Sequence, residues 1–450
     1  MSASRRDTAC AWLRRAAWLA FGAMLVLSPL RARFDLVARP AGRLYHDYTD
    51  VLLSWNEIAA LLVLALWLGS VAVRPRRVWL GPRFVALPVA VLLALAWLGT
   101  PFATDPALAA MTSLRLTLLA ALALYVCNEL PSPVRVVAPV ALMVAVQSAV
   151  GIGQVMAQRS LGLGGLGEYT LAPNLAVSVV TAGDGTRYLR AYGLADHPNI
   201  LGGLLVAGVL LVGGLASLRR PRERPLLLAV CLLGVAAILV TFSRGAWIAL
   251  LAGLAVSAAM LVAAGRRRDL RRAALVVAAG LVVAAPLLVG YRSALAARTD
   301  PAGASATEVR SVDERAAVAG TTAHLAADHP LLGVGIGGTP EAMRLANPSF
   351  HYAYQPSSIV LLDAAAETGV AGGVAYAVLL VAPWVAMLRR RRAWTRELVA
   401  VSAALAALTI AGLFDYYTWT YPAGRIWAFV VLGLWALAWR RAVAGDAGAG

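Results

Sequence analysis

The sequence predicts an all-α polytopic membrane protein of about twelve transmembrane helices, with a large outward-facing loop before the tenth span. Three observations carry the prediction. Of 450 residues, 60% are hydrophobic and only 14% are charged, about half the charged share of an ordinary globular domain. Apolar runs of helix-spanning length recur from end to end, and in lipid only a helix or a closed barrel satisfies its own backbone. All 40 basic residues are arginine, and most stand in clusters between those runs. A soluble two-domain protein would need polar faces that these segments lack.

The clusters "RPRR" (74–77), "RRPRER" (219–224), "RRRDLRR" (266–272), "RRRR" (389–392) and "RR" (440–441) suit cytoplasmic loops under the positive-inside rule. Placing them there gives spans near 16–30, 51–73, 84–100, 111–130, 136–157, 199–218, 226–241, 246–265, 273–291, 369–388, 398–414 and 426–439, with both termini cytoplasmic. The N-terminus resembles a signal peptide but has no clear small-residue cleavage site and leads into further spans, so it is read as an uncleaved first helix. The chain then divides into a five-helix region (1–157), an outward loop (158–198), a four-helix region (199–291), a large outward loop (292–368) and a three-helix C-terminal region (369–450).

The net charge of +17 raises the question of nucleic acid, but its confinement to the ends of spans points to anionic headgroups of membrane lipid instead. Cys10, Cys127 and Cys231 have no metal-ligand spacing and imply no disulfide framework. No internal repeat, Walker loop or H-E-x-x-H motif is present, which weighs against an inverted-repeat transporter, a nucleotide motor and a zinc peptidase. All five histidines (His46, His197, His324, His329 and His351) fall in outward segments, so the chemistry is expected there.

Four outward stretches carry unusual residues. "RYLRAYGLADHPNILGG" (187–203) places Arg187 and Arg190 ahead of a span opening at a Pro-Asn pair. "TFSRGAW" (241–247) puts Arg244 inside an apolar run, where an arginine at mid-bilayer costs roughly 2.5–3.5 kcal/mol. It therefore marks either a turn arginine snorkelling to headgroups or a group lining a polar cavity. "DERAAVAGTTAHLAADHPLLGVGIGG" (313–338) ends in a glycine-rich turn that follows no strand pattern, so it is not a nucleotide loop, and its His324 and His329 lack a third metal ligand. "QPSSIVLLDAAAETGVAGG" (355–373) holds Asp363 and Glu367 on one helix face, as an acid–base pair or as packing groups near the surface. Outward arginines at helix ends suit a pyrophosphate on a lipid carrier, because guanidinium offers paired donors and keeps its charge.

At these stretches the sequence resembles the O-antigen ligase and O-antigen polymerase superfamily of bacterial envelope enzymes. "SRGAW" is similar to the family's most recognisable motif, and "DHPLLGVGIGG" to its "HPLxGxGxG" segment, with Arg315 at the arginine ahead of it. "RAYGLADHPNILGG" places Arg190 at a family arginine, "QPSSIVLLDAAAETGVAGG" resembles "QPxHNxxLxxxAETGxxG", and "DYYTWTYPAGRIW" resembles "DHYxWTxxxGR". The resemblance covers about 187–430. It implies a multi-pass protein of the bacterial cytoplasmic (inner) membrane. Its activity would be glycosyl transfer without metal or cofactor, from an undecaprenyl-pyrophosphate-linked glycan to an acceptor glycan or glycolipid.

In that reading Arg187, Arg190, Arg244 and Arg315 hold the pyrophosphate. The family's histidine, thought to activate the acceptor, falls at Ser358, and Tyr416 likewise replaces a histidine. A serine is a poor general base. His351, seven residues upstream in "FHYAYQP", is the candidate replacement, beside Tyr352 and Tyr354 that suit stacking on a sugar, and its ring is expected to face the Arg190–Arg244 cavity. The catalytic candidates are thus His351, Ser358 and Glu367. The alternative is a non-catalytic relative that transports or binds an anionic small molecule or lipid-linked glycan.

Overall fold

The computed structural model describes residues 3–39, 44–299, 306–391 and 394–447. Its membrane bundle begins with α1 (Ala3–Leu27), α2 (Trp55–Val73), α3 (Arg83–Gly99), α4 (Pro106–Glu129) and α5 (Val137–Ala157). It continues with α6 (Pro198–Leu215), α7 (Arg224–Val240), α8 (Arg244–Ala263) and α9 (Arg267–Gly290). Three helices of the large loop, α10 (Arg292–Thr299), α11 (Ala306–Asp328) and α12 (Thr339–Ala346), precede α13 (Val360–Arg389). The chain closes with α14 (Arg396–Ala411), α15 (Tyr417–Thr420) and α16 (Pro422–Ala447). Two small antiparallel hairpins, β1 (Arg33–Val37) with β2 (Val51–Ser54) and β3 (Val179–Thr181) with β4 (Arg187–Leu189), lie in the connections. Among the described residues, eleven helices are long and apolar enough to cross a membrane. The protein is a polytopic all-α membrane protein.

The expected spans correspond to helices; the fourth, ninth and twelfth run a few residues longer than expected, and four others differ for reasons that the local sequence or packing shows. The first helix runs over 3–27 rather than 16–30, because "SRRDTACAWLRR" continues the helix with good formers. The second begins at Trp55, not at 51. Ser54 accepts from the Glu57 backbone N–H while Glu57 returns to the Ser54 N–H, a capping box that fixes the start and leaves Val51–Ser54 as strand. The tenth starts at Val360 and crosses a kink at Gly369 (φ 78°, ψ 173°). A side chain at Gly369 would collide with the Leu331 carbonyl, and Val370 N–H donates to Pro330 O at 2.9 Å, so the "HPLL" turn docks on the kink itself.

The eleventh span, expected over 398–414, is α14, whose 16 residues extend about 24 Å and fall short of a full crossing. It nevertheless threads the bundle from one end to the other. No residue from Glu397 to Ala411 is exposed. Its neighbours close on it through small residues: Gly214 of α6 against Ala400, and Gly253 of α8 against Ala403.

The two ends of the bundle differ in chemistry. At one, Glu129 pairs with Arg76 at 2.6 Å and Arg14 at 2.8 Å, Asp269 with Arg396 at 2.8 Å, and Glu397 with Arg441 at 2.9 Å. At the other, the connections tie together through Arg33–Asp196 at 2.9 Å, Tyr48–Tyr416 at 2.9 Å, Ser293–Tyr188 at 3.1 Å and Thr104 N–H to Val334 O at 2.9 Å. The 158–198 segment and the described residues of the 292–368 segment therefore share one end, opposite the arginine clusters. Arg115, the one charge deep in the fourth span, lies 2.7 Å from Glu57, which also stands 3.6 Å from Arg425. A buried pair of this kind removes the charge from lipid.

Candidate functional site

The loop-end cavity forms where two helices begin. Helix α6 opens at Pro198 with His197 as its cap, the ring Nδ1 accepting from Asn199 N–H at 3.1 Å. Helix α8 opens at Arg244 with Ser243 as its cap, the hydroxyl accepting from Ala246 N–H at 3.3 Å. Between α7 and α8 the chain reverses through Phe242, whose φ of 49° is left-handed, a costly conformation for a bulky residue that concentrates at functional sites. The turn at "TFSRGAW" is thus real and tight. Gly202 has no room for a side chain against Ala246, so the two helix starts lie close together. Converging helix N-termini favour an anion.

Arg190 enters from the strand edge after β4. It is buried and held by acceptors from three directions: Nε donates to Thr241 O at 2.7 Å, Nη1 to Ser178 Oγ at 2.7 Å, and Nη2 to Asn199 Oδ1 at 2.6 Å. Asn199 in turn donates its amide N–H to Asp415 Oδ2 at 2.8 Å. The cavity, of about 410 Å³, is lined by Arg190, Arg244, Arg298 and Arg315 with Asp415 as the only carboxylate among its lining residues. Tyr417 completes the floor, and Gly203 is what admits it, since a side chain there would overlap the phenol. Burial pushes the Asp415 carboxyl up, opposed by the Asn199 amide and by Arg315 and Arg190. Burial, with Arg190, Arg315 and Arg298 nearby, pushes His197 well below the usual histidine range, so its ring stays neutral and keeps its acceptor role.

Three of the four expected arginines are brought together, from strand edge, helix start and loop helix. Arg187 is not among the lining residues. It is exposed at the start of β4, donating to Leu175 O at 3.1 Å, where the strand emerges from the hairpin turn. Arg298, from α10, joins the cavity unannounced: "ARTD" carries no motif, and only the fold brings it in. Asp415 and Asn199 stand in stretches singled out by the sequence, but nothing there distinguishes them from their neighbours.

The catalytic candidates lie elsewhere. His351 does not face the cavity as expected. Phe350 and Tyr354 anchor their loop in a small core with Val318, Leu325 and Met343, which leaves His351 exposed with its ring edge-on to Tyr352 at 5.4 Å. Ser358 is half-buried at the start of α13 and is not a lining residue. Glu367 is buried, accepting from Trp419 Nε1 at 2.8 Å and Thr339 Oγ1 at 3.1 Å. It borders a separate pocket of about 40 Å³ with Arg115 and Arg425, room for about one water. Asp363, expected as its partner, accepts from Ser357 N–H at 2.8 Å inside the same packed region.

Comparison with known families bears on this geometry. Residues 228–377 match the family model described as O-antigen ligase. The chain carries an O-antigen ligase domain. No curated protein matches it. The O-antigen ligase match runs from α7 into α13 and contains the Ser243–Arg244 turn, Arg298, Arg315 and Glu367. Arg190, Asn199 and Asp415 lie on either side of the matched segment and complete the same cavity.

Proposed function

We propose that this O-antigen ligase-family membrane protein is a glycosyltransferase. It moves an oligosaccharide from undecaprenyl pyrophosphate to a hydroxyl of an acceptor glycan or glycolipid, on the outer face of the bacterial cytoplasmic membrane. The observation that carries the reading is the cavity where Arg190, Arg244, Arg298 and Arg315 meet two helix N-termini. The positive-inside rule puts that end outward, opposite the arginine clusters, where the carrier's head group emerges from the bilayer.

The acceptor oxygen attacks the anomeric carbon and the bond from that carbon to the pyrophosphate oxygen breaks. The departing pyrophosphate gains the negative charge, and fixed guanidiniums aimed at it stabilise that charge as it develops. Arg298 fills the place that the sequence suggested for Arg187. The acceptor's proton goes to Asp415, the carboxylate that shares the cavity, held for this by Asn199. Glu367 acts as a positioning residue that fixes Trp419 and the Thr339 turn, while Ser358 and His351 stand away from the bond that breaks.

The test is a deletion strain complemented with wild type, Arg244→Ala or Asp415→Asn, with lipid-linked and surface glycans analysed. Accumulated lipid-linked oligosaccharide and loss of the surface glycan in the deletion strain and in both variants are expected. Unchanged surface glycan in all three strains overturns the reading.

A further inference from the structure

A second cavity, of about 440 Å³, lies among α6, α7, α8, α9 and α14. Gly213, Gly214 and Cys231 are the small residues of its lining on α6 and α7. Trp247 stands at its loop end and Leu261 near the other, a stretch of α8 about 21 Å long. Apart from Ser217 and Ser257 the lining is apolar until the arginine-rich end, where Asp269, Arg272 and Arg396 form the mouth. Asp269 pairs with Arg396 at 2.8 Å and stands 3.9 Å from Arg272. One carboxylate thus faces two lining guanidiniums, and Arg267, Arg268 and Arg271 are exposed on the same helix start.

We propose that this cavity is a binding site for an anionic phospholipid, its phosphate at Arg272 and Arg396 and an acyl chain in the hollow toward Trp247. The charge at the mouth selects the headgroup. Each guanidinium has five donors in a fixed fork, more than Asp269 can accept, and basic pockets between membrane helices attract acidic lipid headgroups. The apolar hollow selects a chain: its lining, open at the bundle surface beside the exposed Leu251 and Leu281, loses packing unless hydrocarbon fills it. An anionic lipid satisfies both ends at once. A zwitterionic lipid brings a cation to a mouth already positive. The site is independent of the arginine cavity, which opens at the opposite end.

The full chain is reconstituted in vesicles of equimolar phosphatidylglycerol and phosphatidylcholine, and retained lipid is measured by native mass spectrometry. Retention of phosphatidylglycerol over phosphatidylcholine is expected. Arg272→Ala and Arg396→Ala each lower it roughly fivefold, at about one surface guanidinium's worth of attraction. Ser257→Trp, which fills the hollow and leaves every charge in place, lowers it as well, and Arg272→Lys retains most of it. Equal retention of the two lipids, or phosphatidylglycerol retention unchanged in both Arg272→Ala and Ser257→Trp, overturns the proposal. Displacement of bound phosphatidylglycerol by undecaprenyl phosphate added to the vesicles also overturns it, by assigning the hollow to the carrier's tail.

Discussion

Asn199 donates its side-chain N–H to Asp415 at 2.8 Å while its carbonyl accepts from Arg190 at 2.6 Å. The two bonds fix the amide orientation, with oxygen toward the cation and nitrogen toward the carboxylate. A carbonyl polarised by a guanidinium makes its own N–H a better donor, so the proposed clamp and the proposed base are joined through one side chain. Burial raises the Asp415 pKa and the Asn199 bond opposes that rise. Asn199→Leu removes the opposition, so the acidic limb of the kcat/KM profile for glycan transfer moves to higher pH. Asp415→Asn lowers kcat by about 10²–10⁴-fold, the range for a lost general base. An acidic limb that stays in place in Asn199→Leu refutes the link.

Arg190 and Arg244 are expected to fail in different ways. Arg190 is buried with three protein acceptors, so Arg190→Ala strands Thr241 O, Ser178 and Asn199 and costs about 1–3 kcal/mol of stability or more. Arg244 is half-buried at the first position of α8, so Arg244→Ala costs less stability than Arg190→Ala while weakening inorganic pyrophosphate binding. Arg244→Lys keeps charge but not paired geometry and recovers only part of it. Thermal unfolding in detergent and pyrophosphate titration separate the two.

His197 predicts a pH dependence of stability. Its folded pKa lies well below 6.5, because burial and the nearby arginines disfavour the cation. The unfolded chain takes up a proton below about pH 6.5 that the folded chain refuses, so stability is full above that pH and falls as pH drops through it. Asn caps helices as well as any residue, so His197→Asn keeps the start of α6 and flattens this fall. The difference between the two proteins' unfolding midpoints from pH 7 to pH 5 isolates it from Asp196, which burial raises to about 6 and whose contribution declines in the opposite direction, as pH rises. Parallel curves for wild type and variant remove His197 as the cause.

Gly203 and Tyr417 make a packing prediction. A methyl at 203 overlaps the Tyr417 phenol, so Gly203→Ala drives the ring into the cavity and lowers transfer. Gly203→Ala combined with Tyr417→Ala restores room and recovers part of the loss, a coupling that a double-mutant cycle measures.

Orientation is tested with reporter fusions at Gly183 and Gly320, in the hairpin of the 158–198 segment and in α11. Both are expected to read as exported. A cytoplasmic readout from either reverses the face on which the arginine cavity opens.

The membrane class was legible because hydropathy and arginine placement act over whole spans, which no tertiary contact overrides. Helix starts were less so: the strand at Val51–Ser54 is as apolar as the helix that follows, and only the Ser54–Glu57 capping box divides them. Arg244 was visible as a charge where lipid forbids charge, and Arg190 and Arg315 through the motifs of the family that the sequence resembles. Arg298 was invisible because it sits among other polar residues in a short helix, and its place depends on how α10 packs. His351 misled for the converse reason. A histidine in an aromatic loop reads as chemistry, but the aromatics at 350 and 354 are its neighbours' anchors and turn it to solvent.

The short, enclosed helix α14 has a consequence for how the protein is made. Its 16 residues, rich in alanine, meet α6, α8 and α16 rather than lipid. Such a segment gains little by partitioning alone into a bilayer some 30 Å thick. Its place is secured by earlier helices waiting for it and by α16 arriving behind it. The last helical pair therefore enters as a unit. Because Asp415 sits on the link inside that pair, the anion cavity acquires its carboxylate only after every other element that lines it, apart from Tyr417 of α15, has been made.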